Sequence, residues 1–270
     1  MKKLLLLFLL AFLAVPIASA EESVVTLTTT LDEGASIKLY TWADSMDDAF
    51  TIDWGDGVEK IYNKVKPSWT YGSEITGKLG ASKTITIKGD ITYLEIKEMQ
   101  ISAATFANTK LKEVDMEKNQ LTDFNLSGLP EVTKLSLNEN SIVTFSSTGN
   151  SVLKNLGLKS NKIDSHQFEI SSLANSLEQL NVSENGENFV ALNLINFDKL
   201  QYFTANDNPE LTTVVFYDGS TNLKQISMNN CHIMHFYAIS LPNLNSLNLS
   251  NNALLDFENG TYPNLSTLSV

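Results

Sequence analysis

The chain has 270 residues, of which 31 are acidic and 19 are Lys or Arg, giving a formal net charge of −12. This excess of negative charge argues against nucleic acid and anionic membranes as partners, because both would repel it. The sequence contains one cysteine and is 43% hydrophobic, which excludes an internal disulfide and predicts a fold held together by its apolar core.

Residues 1–20 have the features of a signal peptide. Lys2 and Lys3 precede an apolar run from Leu4 to Ile17, and Ala18-Ser19-Ala20 follows, in the order of a secretory signal and its cleavage site. The apolar run is shorter than the roughly 20 residues that a retained membrane anchor needs. We therefore expect an exported protein, either secreted, periplasmic or on the cell surface, with no membrane insertion after the signal is removed.

Short alternating segments predict a small all-β, sandwich-like domain over residues 21–90. Its sharpest feature is Trp54-Gly55-Asp56-Gly57, whose Gly and Asp residues predict a tight hairpin between Phe50–Trp54 and Val58–Tyr62. This Trp-Gly-Asp-Gly turn resembles the one in polycystic-kidney-disease-type immunoglobulin-like domains. No linker follows at residue 90, so we expect this domain to cap the apolar end of the next region.

Two further interpretations of this domain stay open. Clustered carboxylates could bind calcium, although EF-hand spacing is absent, or they could cap turns and face solvent; they are Asp44, Asp47, Asp48, Asp53, Asp56 and Glu59. Tryptophans could form a sugar platform, although we expect Trp54 at least in the core; they are Trp42, Trp54 and Trp69. Of these alternatives we favour the turn and core roles, and we predict no bound metal.

From residue 91 to 270 the chain repeats a pattern with apolar residues at places 1, 4 and 6 of each copy. The first places recur at intervals of roughly 20 to 24 residues. They are Ile91, Leu111, Val132, Leu153, Leu177, Leu200, Leu223, Leu244 and Leu265. This pattern and period resemble a leucine-rich repeat, with about eight copies and a partial last one.

Such copies predict a solenoid that is mainly β. Alternation places one set of side chains inside a short strand, and stacked strands form a parallel sheet on the concave face. A second apolar set, such as Leu121, Phe124 and Leu129, leaves no room for a full helix and predicts short extended or 3-10 segments on the convex side. With the Trp-Gly-Asp-Gly hairpin, these repeats resemble exported, internalin-like proteins of Bacteroidetes-type bacteria. That resemblance implies surface exposure and protein binding.

The ninth place of the copies predicts an internal ladder. A side-chain amide there can satisfy backbone groups of its own turn and of the neighbouring turn that would otherwise be buried without partners. The ladder positions are Asn119, Asn140, Asn161, Asn185, Asn208, Cys231 and Asn252. A small thiol is tolerated in this slot, whereas Met99 fits it less well and marks an atypical first copy.

Places 3, 5 and 7 of each copy point outward from the concave sheet, and they change from charged to neutral along the chain. We predict that a protein ligand, or a glycan, is held there by many distributed contacts, with Tyr93 and Tyr202 as anchors. An acidic patch of Glu113, Asp115 and Glu117 would suit a basic partner. The candidate ligand-binding residues are Tyr93, Lys97, Glu113, Asp115, Glu117, Lys134, Tyr202 and Asn206. The alternative is a solvated face, with the binding surface elsewhere.

Catalytic chemistry is weakly indicated. Cys231, His232 and His235 could suggest a soft-metal site or a nucleophile. However, the cysteine occupies a ladder slot, and the two histidines straddle the inward Ile233. No phosphate loop, nucleophile elbow or zinc-ligand spacing occurs. We predict a non-enzyme without cofactors.

The predicted function is therefore an exported or cell-surface binding protein, and the alternative is a structural scaffold of the cell envelope. Val270 falls at the sixth place of an unfinished copy, which predicts either a longer natural chain or association through that end.

Overall fold

The computed structural model describes residues 22–45, 49–63, 74–216, 221–236, 240–257 and 261–270. The predicted signal peptide, Asp47, Asp48 and Trp69 lie outside the described residues. The first eight strands are β1 (Val24–Thr29), β2 (Ser36–Ala43), β3 (Phe50–Asp53), β4 (Glu59–Tyr62), β5 (Glu74–Lys78), β6 (Thr84–Lys88), β7 (Ile91–Glu95) and β8 (Ile101–Ala107).

After β8, each copy contributes one strand to a long sheet and a second extended or 3-10 segment to the opposite face. The long-sheet strands are β9 (Glu113–Asp115), β11 (Lys134–Ser136), β13 (Asn155–Gly157), β15 (Gln179–Asn181), β17 (Tyr202–Thr204), β19 (Gln225–Ser227), β21 (Ser246–Asn248) and β23 (Thr267–Ser269). The second-face strands are β10 (Asp123–Asn125), β12 (Thr144–Ser146), β14 (Phe168–Glu169), β16 (Ala191–Asn193), β18 (Thr213–Val215), β20 (His235–Phe236) and β22 (Asp256–Phe257). Two 3-10 turns cover Ser165–Gln167 and Ser171–Leu173.

The long sheet stacks these strands in strict register. Within the described residues it has eleven strands, in the order β23-β21-β19-β17-β15-β13-β11-β9-β7-β2-β5. The strands from β7 to β23 are parallel, with Leu135 opposite Val114 on one side and Leu156 on the other. The predictions of a mainly β chain and of stacked parallel coils are therefore confirmed.

The N-terminal strands join the solenoid through both of their sheets. Strand β2 pairs antiparallel with β7 and adds β5 at the far side. The other sheet has the order β4-β3-β6-β1-β8, so β8 follows the first coil strand in sequence but pairs with β1. These pairings cross the predicted boundary at residue 90.

Close packing also connects the two parts. A Cβ at Gly128 would lie 1.9 Å from the carbonyl oxygen of Phe106, so only glycine fits where this coil meets β8. The buried apolar side chains from Val25 to Leu249 form one continuous cluster. The core is therefore shared between the N-terminal strands and the coils.

The Trp-Gly-Asp-Gly segment forms the predicted hairpin, with β3 and β4 paired from Phe50–Tyr62 to Asp53–Glu59. Gly55 and Gly57 have φ angles of +94° and +77°, which L side chains rarely adopt. Trp54 is 0% exposed, so its predicted place in the core is confirmed and it cannot serve as a sugar platform.

Candidate functional site: the outward face of the long sheet

The outward face consists of the third, fifth and seventh places of the coils. In coil β11, for example, the inward Leu135 and Leu137 are buried, whereas Lys134 is exposed and Ser136 and Asn138 are half-buried. This alternation follows from the two-residue period of a strand. It gives the chain a continuous polar surface on a rigid sheet.

The ninth-place asparagines hold the coils beneath this surface. Asn140 Nδ2 donates to the carbonyl oxygens of Met116 in the preceding coil and of Leu137 in its own coil, each at 3.0 Å. Its Oδ1 accepts from the Leu121 amide at 3.1 Å. Asn119, Asn161, Asn185 and Asn252 repeat the pattern.

Two ladder positions differ in their partners. Asn208 donates to Val182 and Ala205 in the usual way, but its Oδ1 accepts from the Asn185 amide at 2.7 Å. The Cys231 thiol donates to the Ala205 carbonyl oxygen, with Sγ and O 3.1 Å apart. Burial raises the pKa of this thiol, which is the opposite of what a nucleophilic thiolate requires.

A second periodic feature lies just before the ladder, at the eighth place. Every described residue in this column has a left-handed backbone, with φ between +54° and +58°; the residues are Glu98, Lys118, Glu139, Ser160, Glu184, Asp207, Asn230 and Asn251. None of these residues is glycine, so the sequence does not indicate a left-handed turn here. The exceptions are the Asn-Asn and Asp-Asn pairs of the later coils, because Asn and Asp tolerate this conformation.

The N-terminal part of the outward face is an internally bonded charged zone, comprising Tyr93, Glu95, Lys97, Asp115, Glu117, Ser136 and Asn138. Lys97 Nζ lies 2.6 Å from Asp115 Oδ2 and 3.6 Å from Glu117 Oε2. Glu117 Oε1 accepts from Ser136 Oγ at 2.5 Å and from Asn138 Nδ2 at 2.7 Å. Asp115 and Glu117 therefore already have partners within the protein, while one lysine faces three carboxylates and the zone stays acidic.

The pKa shifts reflect this matching. Burial alone would raise the pKa of Glu117, but hydrogen bonds from Ser136 and Asn138, together with Lys97, hold it below its ordinary value. Burial raises the pKa of Asp115 despite the contact with Lys97. The carboxylates keep the pKa of Lys97 above its ordinary value in spite of its burial.

The two predicted aromatic anchors have different environments. The Tyr93 ring stacks on Trp42, with centroids 3.8 Å apart, and its hydroxyl donates to Glu95 Oε2 at 2.5 Å. Burial, followed by this hydrogen bond, raises the Tyr93 pKa. Tyr202 is 36% exposed, and Lys224 Nζ lies 5.8 Å from its ring centroid. Of the two residues, Tyr202 is the more exposed.

The C-terminal part of the outward face is an amide zone, comprising Asn206, Ser227, Asn229, Asn248 and Ser250. Asn206 Oδ1 accepts from Ser227 Oγ at 2.7 Å and from the backbone N–H of Asn229 at 3.1 Å. Asn248 Oδ1 accepts from Ser250 Oγ at 2.7 Å. Here too the side chains bond mainly to one another.

Between these zones lies an open zone, comprising Asn155, Gly157, Gln179, Asn181, Tyr202 and Thr204. A depression of about 310 Å³ crosses it, from Lys134 and Ser136 on one side to Tyr202 and Thr204 on the other. Its floor is Gly157, which leaves the fifth place of its coil without a side chain. Among the described residues, the side chains of Asn155, Gln179 and Thr204 and the Tyr202 hydroxyl have no hydrogen-bond partner, whereas Asn181 Oδ1 accepts from the Ser183 backbone N–H at 3.1 Å.

The other predicted ligand-binding residues lie around this zone. Lys134 is on the rim of the depression, and its Nζ is 3.8 Å from Glu113 Oε2. Asn206 belongs to the amide zone. The structure therefore brings Lys134 and Tyr202 to one depression and places Tyr93, Lys97, Asp115 and Glu117 in the charged zone.

The clustered carboxylates of the N-terminal part have structural partners. Asp53 Oδ1 accepts from the amides of Gly55 at 2.8 Å and Gly57 at 3.0 Å. Glu59 pairs with Lys88 at 2.5 Å, and Asp44 with Lys112 at 2.5 Å. Within the described part of the chain, no group of three His, Cys, Asp or Glu residues is placed to hold a metal ion. His232 and His235 are exposed, whereas the neighbouring Cys231 thiol faces the ladder.

A larger cavity of about 420 Å³ opens on the second face, between β14 and β16. Strand β14 pairs with β12, and β16 with β18, but in the described structure β14 and β16 do not pair with each other. Ser165 Oγ fills part of the break by accepting from the amides of Val190 and Ala191. The cavity therefore lies where the long copy that begins at Leu153, with its two 3-10 turns, interrupts strand pairing on the second face.

No helix within the described ranges combines the length and apolar character needed to cross a membrane.

No family model and no curated protein matches the sequence. Among solved structures, the chain resembles the functional domain of InlJ from Listeria monocytogenes, which includes a cysteine ladder, at 20% identity and a TM-score of 0.29. The match covers 56% of this chain and 42% of that one, so this chain spans less than half of the InlJ structure.

Proposed function

We propose that this protein is an exported or cell-surface binding protein, internalin-like and of leucine-rich-repeat type, which holds its partner on the outward face without catalysis. The observation that carries this proposal is the open zone. It combines one exposed aromatic ring with polar side chains of which three, Asn155, Gln179 and Thr204, have no partner among the described residues, on a sheet supported by the ladder. Unpaired polar groups on a rigid surface are available to a ligand without first breaking internal bonds.

The N-terminal unit, which we propose is related to polycystic-kidney-disease-type domains, serves as the cap of the solenoid. Its strand β2 covers the edge of the first coil by pairing antiparallel with β7. Repeat arrays need such terminal covers to remain soluble. This role is independent of the partner.

Export is tested by the mass of the protein recovered outside the cytoplasm. Cleavage after Ala20 would give a chain that begins at Glu21. Recovery of exported protein that still carries Met1 would contradict the signal-peptide part of the proposal.

The binding face is tested with two matched double variants in a capture assay on immobilised surface extracts. Asn155→Ala with Tyr202→Ala removes unpartnered groups of the outward face, and we expect retention to fall about tenfold. Asn193→Ala with Thr213→Ala changes exposed second-face strands and should leave retention unchanged. The reverse result would move the binding surface to the second face.

A scaffold function is the second candidate, and an exposed apolar side chain on an outer strand favours it. Ile61 in β4 is 73% exposed, and β4 is the outermost described strand of its sheet. Association through this strand would bury Ile61. Sedimentation velocity should then show concentration-dependent assembly that Ile61→Lys abolishes, whereas a monomer at all concentrations would remove this candidate.

A further inference from the structure

The open zone differs from the charged zone in having hydrogen-bonding capacity to spare. In the charged zone Asn138 Nδ2 donates to Glu117 and Ser136, and its Oδ1 accepts from the Lys159 amide. In the open zone Asn155, which is half-buried, bonds to no described residue through its side chain. A partly buried amide without partners is unfavourable unless water or a ligand satisfies it.

Because Gly157 has no side chain, the polar groups around it surround a depression. The neighbouring coils have Ser136, Asn181 and Thr204 at the same place. A Cβ at Gly157 would lie 3.0 Å from Asn138 Oδ1 and 3.1 Å from its Nδ2, so a side chain here would press on an amide that is already hydrogen-bonded. Glycine avoids this contact and leaves room above the sheet.

The groups around the depression have a common chemistry. Primary amides and hydroxyls each offer a donor and an acceptor, and they are supplied by Asn155, Gln179, Asn181 and Thr204. Tyr202 adds one exposed ring at the rim. Lys224 Nζ lies over one side of this ring and donates a 2.7 Å hydrogen bond to Gln201 Oε1. Lys134 is the charged residue in the lining.

We propose that the open zone binds a saccharide, with a sugar ring against Tyr202 and its hydroxyls bonded to the amides and hydroxyls around Gly157. Sugar hydroxyls, like these side chains, both donate and accept, and the C–H face of a sugar ring can cover an aromatic ring. A depression of about 310 Å³ is at the small end of ligand pockets and suits part of a glycan chain.

A bound peptide fits these observations less well. Strands β11 to β17 are paired on both sides, so they present no free edge to which a peptide strand could add. The large apolar side chains of this region, Leu135, Leu156 and Leu180, are 1 to 2% exposed. Tyr202 is therefore the exposed aromatic anchor in the lining, whereas protein interfaces use several apolar or aromatic anchors.

The inference rests on the proposed binding function and names the class of partner for it. Its test uses purified protein and a panel of defined tetrasaccharides: maltotetraose, chitotetraose, cellotetraose and tetragalacturonic acid. Titration calorimetry or ligand-observed NMR measures binding directly. We expect at least one member of the panel to bind.

Four variants define the site. Tyr202→Ala and Gly157→Asn should each raise Kd about tenfold or more, by removing the ring or by filling the depression. Tyr202→Phe keeps the ring and should stay within about threefold of the parent. Gln225 occupies the third place of the next coil, as Tyr202 does in its own coil, but lies outside the depression. Gln225→Ala should therefore leave Kd unchanged. Circular dichroism and an unfolding curve for each variant exclude misfolding.

Two results would overturn the saccharide proposal. Either none of the four probes binds, or binding is unaffected by both Tyr202→Ala and Gly157→Asn. If surface-extract capture depends on Tyr202 but persists after enzymatic removal of glycans, the partner is a protein; the binding function then stands and the saccharide inference fails.

Discussion

The inner ladder and the outward face use the same amino acid in opposite ways. Asn161 and Asn155 lie in one coil, six residues apart. Asn161 is 6% exposed, and its amide bridges Leu137, Leu158 and the Ile142 backbone at 2.9 to 3.1 Å. Asn155 is half-buried on the outward face, and its side chain bonds to no described residue. The residue type alone does not distinguish the two roles, whereas the place within the repeat does.

The physical difference is the availability of water. A ladder asparagine satisfies backbone groups that no solvent reaches, so its removal leaves buried donors and acceptors without partners. An outward asparagine can exchange its bonds with solvent or with a ligand. The ladder is therefore expected to govern stability, and the open zone to govern binding.

The largest expected effect is at the ladder. Asn185→Ala should lower the free energy of unfolding by about 1 to 3 kcal/mol, because Asn185 is 2% exposed and contacts Leu158, Val182 and the Ile163 amide. Urea unfolding followed by circular dichroism measures this. Gln179→Ala, in the same coil on the outward face, is the control and should change the free energy by less than about 0.5 kcal/mol.

The charged zone should show an intermediate, pH-dependent effect. Glu117 has a lowered pKa when folded, so its stabilising contribution is fully present above its unfolded pKa near 4.5 and is lost as the pH falls through the lower folded pKa. Glu117→Gln should destabilise the protein by about 1 to 2 kcal/mol at pH 7, and the difference from the parent should shrink toward pH 3. The raised pKa of Asp115 acts with the opposite sign, and because burial and then the Glu117 charge raise it, this opposing contribution is smaller in the variant.

Urea unfolding at the two pH values checks this dependence. Glu187→Gln is the control, since Glu187 is exposed and forms no ion pair in the described structure. A difference for Glu117→Gln that is equal at pH 7 and pH 3 would show that the charge of Glu117 does not stabilise this zone.

The smallest effect is expected at the left-handed column, and it has the opposite sign. Glu139 has φ of +54° and an exposed side chain. Glycine adopts this conformation without the penalty of a side chain, so Glu139→Gly should raise the free energy of unfolding by about 0.5 to 1 kcal/mol. Glu187→Gly, at a position without positive φ, should lower it. A loss of stability at Glu139 would indicate that its side chain contributes more than the backbone strain removes.

Much of the solenoid could be predicted because its pattern is local and repeated. Apolar places 1, 4 and 6 fix which side of each strand is buried, and the ninth-place asparagine follows from the backbone groups that the turn leaves unpaired. The hairpin at Gly55 and Gly57 could also be predicted from the sequence, since its turn needs the positive φ angles that glycine adopts.

The remaining features depend on contacts between distant residues. The pairing of β1 with β8 across residue 90, and the stacking of Trp42 on Tyr93, join segments far apart in sequence. The acidic residues Asp115 and Glu117 both contact Lys97 of the preceding coil, which the order of outward charges along the chain does not show. Gly157 falls at the outward fifth place of its copy, but only the hydrogen-bond partners of its neighbours reveal the open zone.

The most direct test of this division of roles compares Asn161→Ala and Asn155→Ala in two assays on the same preparations. Urea unfolding gives the stability of each variant, and titration with the panel saccharide that binds best gives Kd. We expect Asn161→Ala to lose about 1 to 3 kcal/mol of stability, with Kd unchanged under conditions where the variant is folded. Asn155→Ala should keep the parental stability and raise Kd about threefold to tenfold. Equal losses of stability for the two variants, or unchanged binding by Asn155→Ala, would contradict the separation of a structural ladder from a binding face.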